Sequence, residues 1–188
     1  TVRQYVHLGD ASAHTDHISQ TSDDRWVFTE DNPKMELQVA ACLAGISRAL
    51  KGYNDALSED CLKIARELFA TTRCDNNWIL NAKIHAAVEL YLATQEKEYS
   101  NFVLDQQEYI CKNIRQTGWY IGRFDKAIGN KKFSKNIRKA LPELQQMYQE
   151  YSVRTPYGVP HDRGNLSSGS WEPQHLGYNY CYLHDAYP

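Results

Sequence analysis

The sequence predicts an all-α fold of antiparallel helical hairpins. Three observations carry it. Apolar residues recur three and four positions apart through most of residues 32–188, polar or glycine-bearing breaks punctuate them, and the connections alternate between short and long. Residues 1–31 stand apart. They are rich in Asp, Ser, Thr and His, show neither helical nor alternating period, and read as an extended loop region with a short strand near Tyr5 to Leu8.

The elements follow in order. Asn32 and Pro33 supply an N-cap and a proline at the first helical position. Val39, Leu43, Ile46 and Leu50 then mark the apolar face of a first helix, which the glycine of "KGYND" ends. A second helix carries Leu57, Cys61, Ile64, Ala65, Leu68 and Phe69, and Cys42 and Cys61 read as small core residues. Beyond "TTRCDNN" a third shows Leu80, Ile84, Ala87, Val88 and Tyr91. A fourth runs from about Tyr99 through Val103, Ile110 and Ile114 to near Gly118. Residues 119–130, aromatic and glycine-bearing, read as more loop than helix. A fifth helix covers about 134–151 with Ile137, Leu141, Leu144 and Tyr148 on its face, and Pro142 within it predicts a kink or a break. Trp171 opens the sixth and last, which ends near Ala186 and turns Tyr178, Tyr182 and Leu183 mostly into the core. The long connections, 115–133 and 152–170, are where function is expected.

At 188 residues the chain suits one domain, and 42% hydrophobic with 23% charged residues is ordinary for a soluble globular protein. A net charge of −2 and a pI near 6.4 give no electrostatic basis for nucleic acid or an anionic membrane as partner. No apolar run reaches the length of about 18 residues that a membrane span requires. Thr1 stands where an initiator Met would, so the chain reads as a processed or excised piece. Five cysteines without a CxxC pair point to neither a zinc ribbon nor a redox motif, and they leave the compartment open. Thirteen tyrosines and four tryptophans against five phenylalanines favour rings with a polar handle, suited to sugar faces and equally to the edges of helical cores.

The stretch "TSDDRWVFTEDNP", residues 21–33, sets Asp23 and Asp24, then Glu30 and Asp31, around Arg25, Trp26 and Phe28. Carboxylates beside an aromatic platform are what a sugar-cleaving site uses. Without any catalytic role, Glu30 and Asp31 ahead of a helix start are favoured there by about 0.3–1 kcal/mol, and Asp23 and Asp24 would pair with Arg25, cap a turn or hold a cation. Arg25 and Trp26 stand as candidates for sugar contact. Trp171, just after the small residues of "SSGS", offers an indole to a pyranose ring, and Tyr157 and His161 share the preceding loop. "HTDH", residues 14–17, with His7 upstream, matches no standard zinc spacing, so no metal ligand is assigned and no cofactor is expected. Of the cations, a structural calcium would suit the oxygen-rich loop better.

Three stretches together resemble the catalytic domain of glycoside hydrolase family 9, the cellulase family. They are "HLGDASAHTDHISQTSDDRWVFTEDNPKMELQVAACLAGISRALKGYNDALSEDCLKIARELF", "IHAAVELYLATQEKEY" and "YGVPHDRGNLSSGSWEPQHLGYNYCYLHDAYP". The resemblance covers nearly the whole chain. It implies part of an (α/α)6 barrel over 1–188, a loop region at 1–31 and helical hairpins at 32–188. It also implies an inverting endo-β-1,4-glucanase acting on cellulose or a related β-glucan. Such an enzyme is secreted, periplasmic or held at the cell surface. In that mechanism one carboxylate activates a water and a carboxylic acid protonates the leaving oxygen from roughly 6.5–9.5 Å away.

The family's base lies in a "DAGD" motif, whereas "LGD" at Leu8 to Asp10 has His7 where the first aspartate would be. The family's acid glutamate lies beyond the helix that ends at "AYP". No catalytic residue is therefore assigned to this chain, whose expected partners are a β-glucan and the remaining parts of its own domain. Ser167 stands where many members carry a tryptophan, and His85 where some carry a cleft aromatic. The alternative is a non-catalytic helical module that binds a glycan or a protein. Half a barrel predicts exposed apolar helix faces, and a module does not.

Overall fold

The computed structural model describes residues 5–9, 24–28, 31–154, 158 and 171–188, and for 5–9, 24–28 and 171–173 it describes the backbone alone. The chain divides into two compact units, Thr1–Pro33 and Lys34–Pro188. In the first, β1 (Tyr5–Gly9) pairs antiparallel with β2 (Asp24–Phe28), setting His7 opposite Trp26 and Leu8 opposite Arg25. The strand near Tyr5 was expected. Its partner was not, because five residues are too few to show a period, although Trp, Val and Phe in "DRWVF" all favour a pleated surface.

Helices build the rest: α1 (Pro33–Leu50), α2 (Asp55–Thr71), α3 (Asn77–Thr94), α4 (Lys97–Asp105), α5 (Gln107–Lys112), α6 (Ile114–Ile128), α7 (Lys131–Ser152) and α8 (Trp171–Ala186). This is the all-α hairpin array expected of part of an (α/α)6 barrel. Local chemistry sets its joints. Asn54 and Asn76 accept from the first-turn amides of α2 and α3, and Asn130 does the same for α7. Gly52 and Gly129 take positive φ at the ends of α1 and α6, where a side chain would be strained.

The centre of the second unit is α3, which buries residues on every side, from Ile79 and Ala82 to Leu90 and Tyr91. It packs against α2, α4 and α6. The α1–α2 hairpin is clasped by Ser58, whose hydroxyl donates to the Ser47 carbonyl at 2.8 Å inside the interface.

Several expectations are corrected. On α1 the period was right and the face wrong: Leu37, Ala40, Ala41 and Ala44 are buried, while Val39 and Ile46 are 41% and 44% exposed. Leu37, Ala40 and Ala41 share a buried cluster with Ile79, Ala82 and Ala86 of α3, so a stripe built mostly of alanines takes the interior while Val39 and Ile46 face out. Cys42, one position past Ala41, is carried outward with them, whereas Cys61 is buried as expected. Apolar side chains exposed on α1 and α2 thus include Met35, Val39, Ile46, Leu57 and Ile64.

The expected fourth helix is three. It breaks at Gln106 and Asn113, whose amides reach back three residues to the Val103 and Ile110 carbonyls at 3.2 and 3.1 Å. Eight helices rather than six result among the described residues.

Residues 119–128 form most of α6, not a loop, and 129–130 join it to α7. Gly118 and Gly122 are its seam residues: a Cβ on Gly118 would stand 2.7 Å from Leu183 Cδ1, and one on Gly122 would run into the Tyr182 carbonyl. α8 can lie this close only because α6 lacks side chains there. Nor does Pro142 break α7, which runs unbroken through it, with Ile137 and Leu144 buried on either side to hold the helix. Finally, Tyr178 is 62% exposed; of the three α8 residues assigned to the core, only Leu183 is fully buried.

Candidate functional site

Where α3 and α6 meet, three rings form a floor. His85 of α3 stacks on Tyr120 of α6 with centroids 5.0 Å apart and planes 18° from parallel. Trp119, the neighbour of Tyr120, meets the same imidazole edge-on at 4.5 Å. Tyr120 is wholly buried and gives its hydroxyl to Asn81 Oδ1 at 3.0 Å. That burial, with Tyr109 nearby, pushes its phenol well above the ordinary range, so it serves as a rigid support and not as an acid or base.

The floor is fixed from two sides. From α8, the wholly buried Asn179 accepts the Trp119 backbone N–H at 2.6 Å and donates to the Arg115 carbonyl. Arg115 and Trp119 are an i, i+4 pair, so one side-chain amide inserts into the hydrogen-bond ladder of α6 at the residue that carries the indole. From α3, Glu89 lies one turn beyond His85 and is only 4% exposed. Arg123 donates to its Oε1, Arg48 Nη1 stands 3.0 Å from Oε2, and His85 Nε2 is 3.7 Å from Oε1. Burial by itself would raise the Glu89 carboxyl. His85 and the two guanidiniums outweigh it and hold the pKa to about 2. Arg123 also covers the faces of Trp119 and Tyr182 at 5.6 and 5.4 Å.

These rings line a cavity of about 260 Å³, with Trp78, Lys34 and Gln116 at its sides. Lys34 Nζ stands 3.7 Å over the Trp78 ring. A larger, shallower depression of about 520 Å³ lies along α7 between Lys131, Lys135, Arg138 and Lys139. Lysine stems line it and no ring does, so it offers no flat face for a pyranose. The smaller cavity has the better chemistry: apolar ring surface with a few amides and cations at fixed places, and no carboxylate among the described residues of its lining.

The side chains of the residues singled out from the sequence for sugar contact fall outside the described ones. Arg25 and Trp26 are on β2, where their side chains are outside the description. Tyr157 and His161 lie outside the described residues, and Trp171 is the first residue of α8, known here by its backbone. Trp119, Tyr120 and Trp78 were missed. The signal was present in "GWYIGRFD", but a reading of that stretch as loop gave its rings no neighbours. Only His85 had been marked. Among the described residues no three His, Cys, Asp or Glu side chains gather as metal ligands, and no helix is long and apolar enough to cross a membrane. The "HTDH" stretch and the carboxylates considered for calcium, those of residues 10–30, fall outside the described side chains.

A model of glycosyl hydrolase family 9 matches residues 2–174. Neither the curated proteins nor the solved structures compared with the chain give a match.

Proposed function

The chain belongs to glycosyl hydrolase family 9, and from that premise we propose that it forms the glycan-holding wall of an inverting endo-β-1,4-glucanase. The polymer it serves is cellulose or a related β-glucan, outside the cell or at its surface. One observation carries the reading: the His85–Tyr120–Trp119 floor is a fixed aromatic face beside an open cavity, with no carboxylate among the described residues that line it. Rings of this kind orient a sugar by its apolar face, while neighbouring amides such as Gln116 meet its hydroxyls.

Among the described residues the site has no cutting chemistry. Glu89 is the buried acid behind its floor, and a carboxyl held at about 2 stays ionised at working pH, so it cannot donate the proton that the leaving oxygen needs. Its two guanidiniums also occupy it from both sides. The "LGD" of Leu8 to Asp10 departs from the family's base motif. The chain thus binds and orients, and the residues described supply neither acid nor base.

Affinity electrophoresis in gels containing mixed-linkage β-glucan, beside a reducing-sugar assay on carboxymethylcellulose, tests both halves. The expected result is retardation that His85→Ala weakens, with no release of reducing ends. Hydrolysis that vanishes in Asp24→Asn or Glu30→Gln would sink the non-catalytic half. Retardation indifferent to His85→Ala would sink the binding half.

A further inference from the structure

Resting on that glycan-binding reading, we infer that the α3–α6 cavity prefers a carboxylate-bearing sugar, a uronate, over its neutral counterpart. The geometry sets three facts side by side. First, among the described residues the cavity is lined by Lys34 and by no acidic side chain, with His85 and His175 beside it. Second, Lys34 has no carboxylate partner among the described residues. Its ammonium is parked over Trp78 at 3.7 Å, and that indole is itself 69% exposed. Third, Glu89, behind the floor, is already neutralised by Arg48 and Arg123, two cations against one anion. The described lining of the cavity therefore carries a positive charge, that of Lys34, inside a chain whose net charge is −2.

A neutral glucan makes no use of that charge. A β-1,4-linked chain with C6 oxidised to carboxylate keeps the same ring faces and linkage, and it adds an anion at the sugar's edge. With a ring seated against Trp119 and Trp78, that edge meets the Lys34 ammonium. A half-buried lysine already held over an indole gives up little freedom to form such a charge-assisted hydrogen bond.

Two probes of matched shape decide the matter: cellotetraose and the β-1,4-tetraglucuronate of the same length, titrated calorimetrically into the intact chain. The tetraglucuronate is expected to bind about tenfold more tightly at low salt. Lys34→Gln should abolish that advantage, bringing the ratio of the two affinities to about one. Salt near 1 M, where the Debye length is about 3 Å, should shrink it as well. A thermal melt of Lys34→Gln matching the parent establishes that the variant is folded. Lys34→Arg, which keeps the charge, should retain most of the preference.

Equal binding of the two tetrasaccharides, or a preference that survives Lys34→Gln, overturns the uronate inference and leaves the glycan-binding reading standing. Cellotetraose binding that Trp119→Ala does not affect, or no binding of either probe, overturns both.

Discussion

The two ends of α6 are both fastened to α8, yet they do opposite things. At the Trp119 end Asn179 holds the backbone, the ring beside it borders a cavity, and cations surround the buried acid. At the Asp125 end Tyr187 gives its hydroxyl to Asp125 Oδ2 at 2.6 Å and Ser134 gives its own to Oδ1 at 2.8 Å. There Phe124 meets Phe133 edge-on at 5.6 Å with both rings sealed in the core, and the shallow depression alongside, lined by Gly129, Ser134 and Arg138, presents no ring among the described residues. Burial and the Asp125 carboxylate together push the Tyr187 phenol far up, so its hydroxyl stays a donor. An aromatic cluster is therefore not a site by itself. What separates the two is whether the rings keep a free face and whether the nearby acid is met by hydroxyls or by guanidiniums.

The largest expected effect lies at the cationic end. Glu89→Ala leaves Arg123 partly buried without its anion and should cost about 3 kcal/mol in urea unfolding at pH 7. That is the low end for a broken buried pair, because Arg48 is 40% exposed and can turn to water. The pH dependence follows from the direction of the shift. A carboxyl whose folded pKa is depressed stabilises the fold fully above its ordinary value of 4.5, and that contribution is lost as pH falls toward about 2. Unfolding free energy should drop by roughly 3 kcal/mol across that window in the parent and much less in Glu89→Ala. A parallel fall in both would mean that Glu89 is not the group responsible.

Next comes the seam shared by the two ends. Gly122→Ala places a Cβ against the Tyr182 carbonyl and should cost about 2 kcal/mol by forcing α6 and α8 apart. The movement should also loosen the Trp119 floor, so sugar binding should weaken along with stability. Unchanged binding would show that the cavity does not depend on the close approach.

The sealed end should respond least. Tyr187→Phe removes one hydroxyl from a buried carboxylate and should cost about 1–2 kcal/mol with no effect on sugar binding.

The uneven visibility of these features in the sequence has a physical reason. The breaks at "KGYND" and "TTRCDNN" were legible, because capping and positive φ are local and depend on the residue in hand. The α1 face was misread because alanine carries little weight in an apolar count, yet Ala40, Ala41 and Ala44 make up most of its buried stripe. α6 was read as a loop because Gly118 and Gly122 weaken a helix locally by about 1 kcal/mol each, and the contact that repays this lies on α8, more than fifty residues away. The candidate site shares that fate. His85 was marked through the family resemblance, as standing where some members carry a cleft aromatic, but its stacking partners and Asn179 become neighbours only when α6 forms.

The central claim is that the Trp119 end of α6 holds a glycan and the Asp125 end does not. Calorimetric titration of cellotetraose into the parent chain, Trp119→Ala and Tyr187→Phe tests it most directly. The account predicts about tenfold weaker binding in Trp119→Ala, the loss of an aromatic anchor, and parent-like affinity in Tyr187→Phe. Parent-like binding in Trp119→Ala, or an equal loss in both variants, would contradict it.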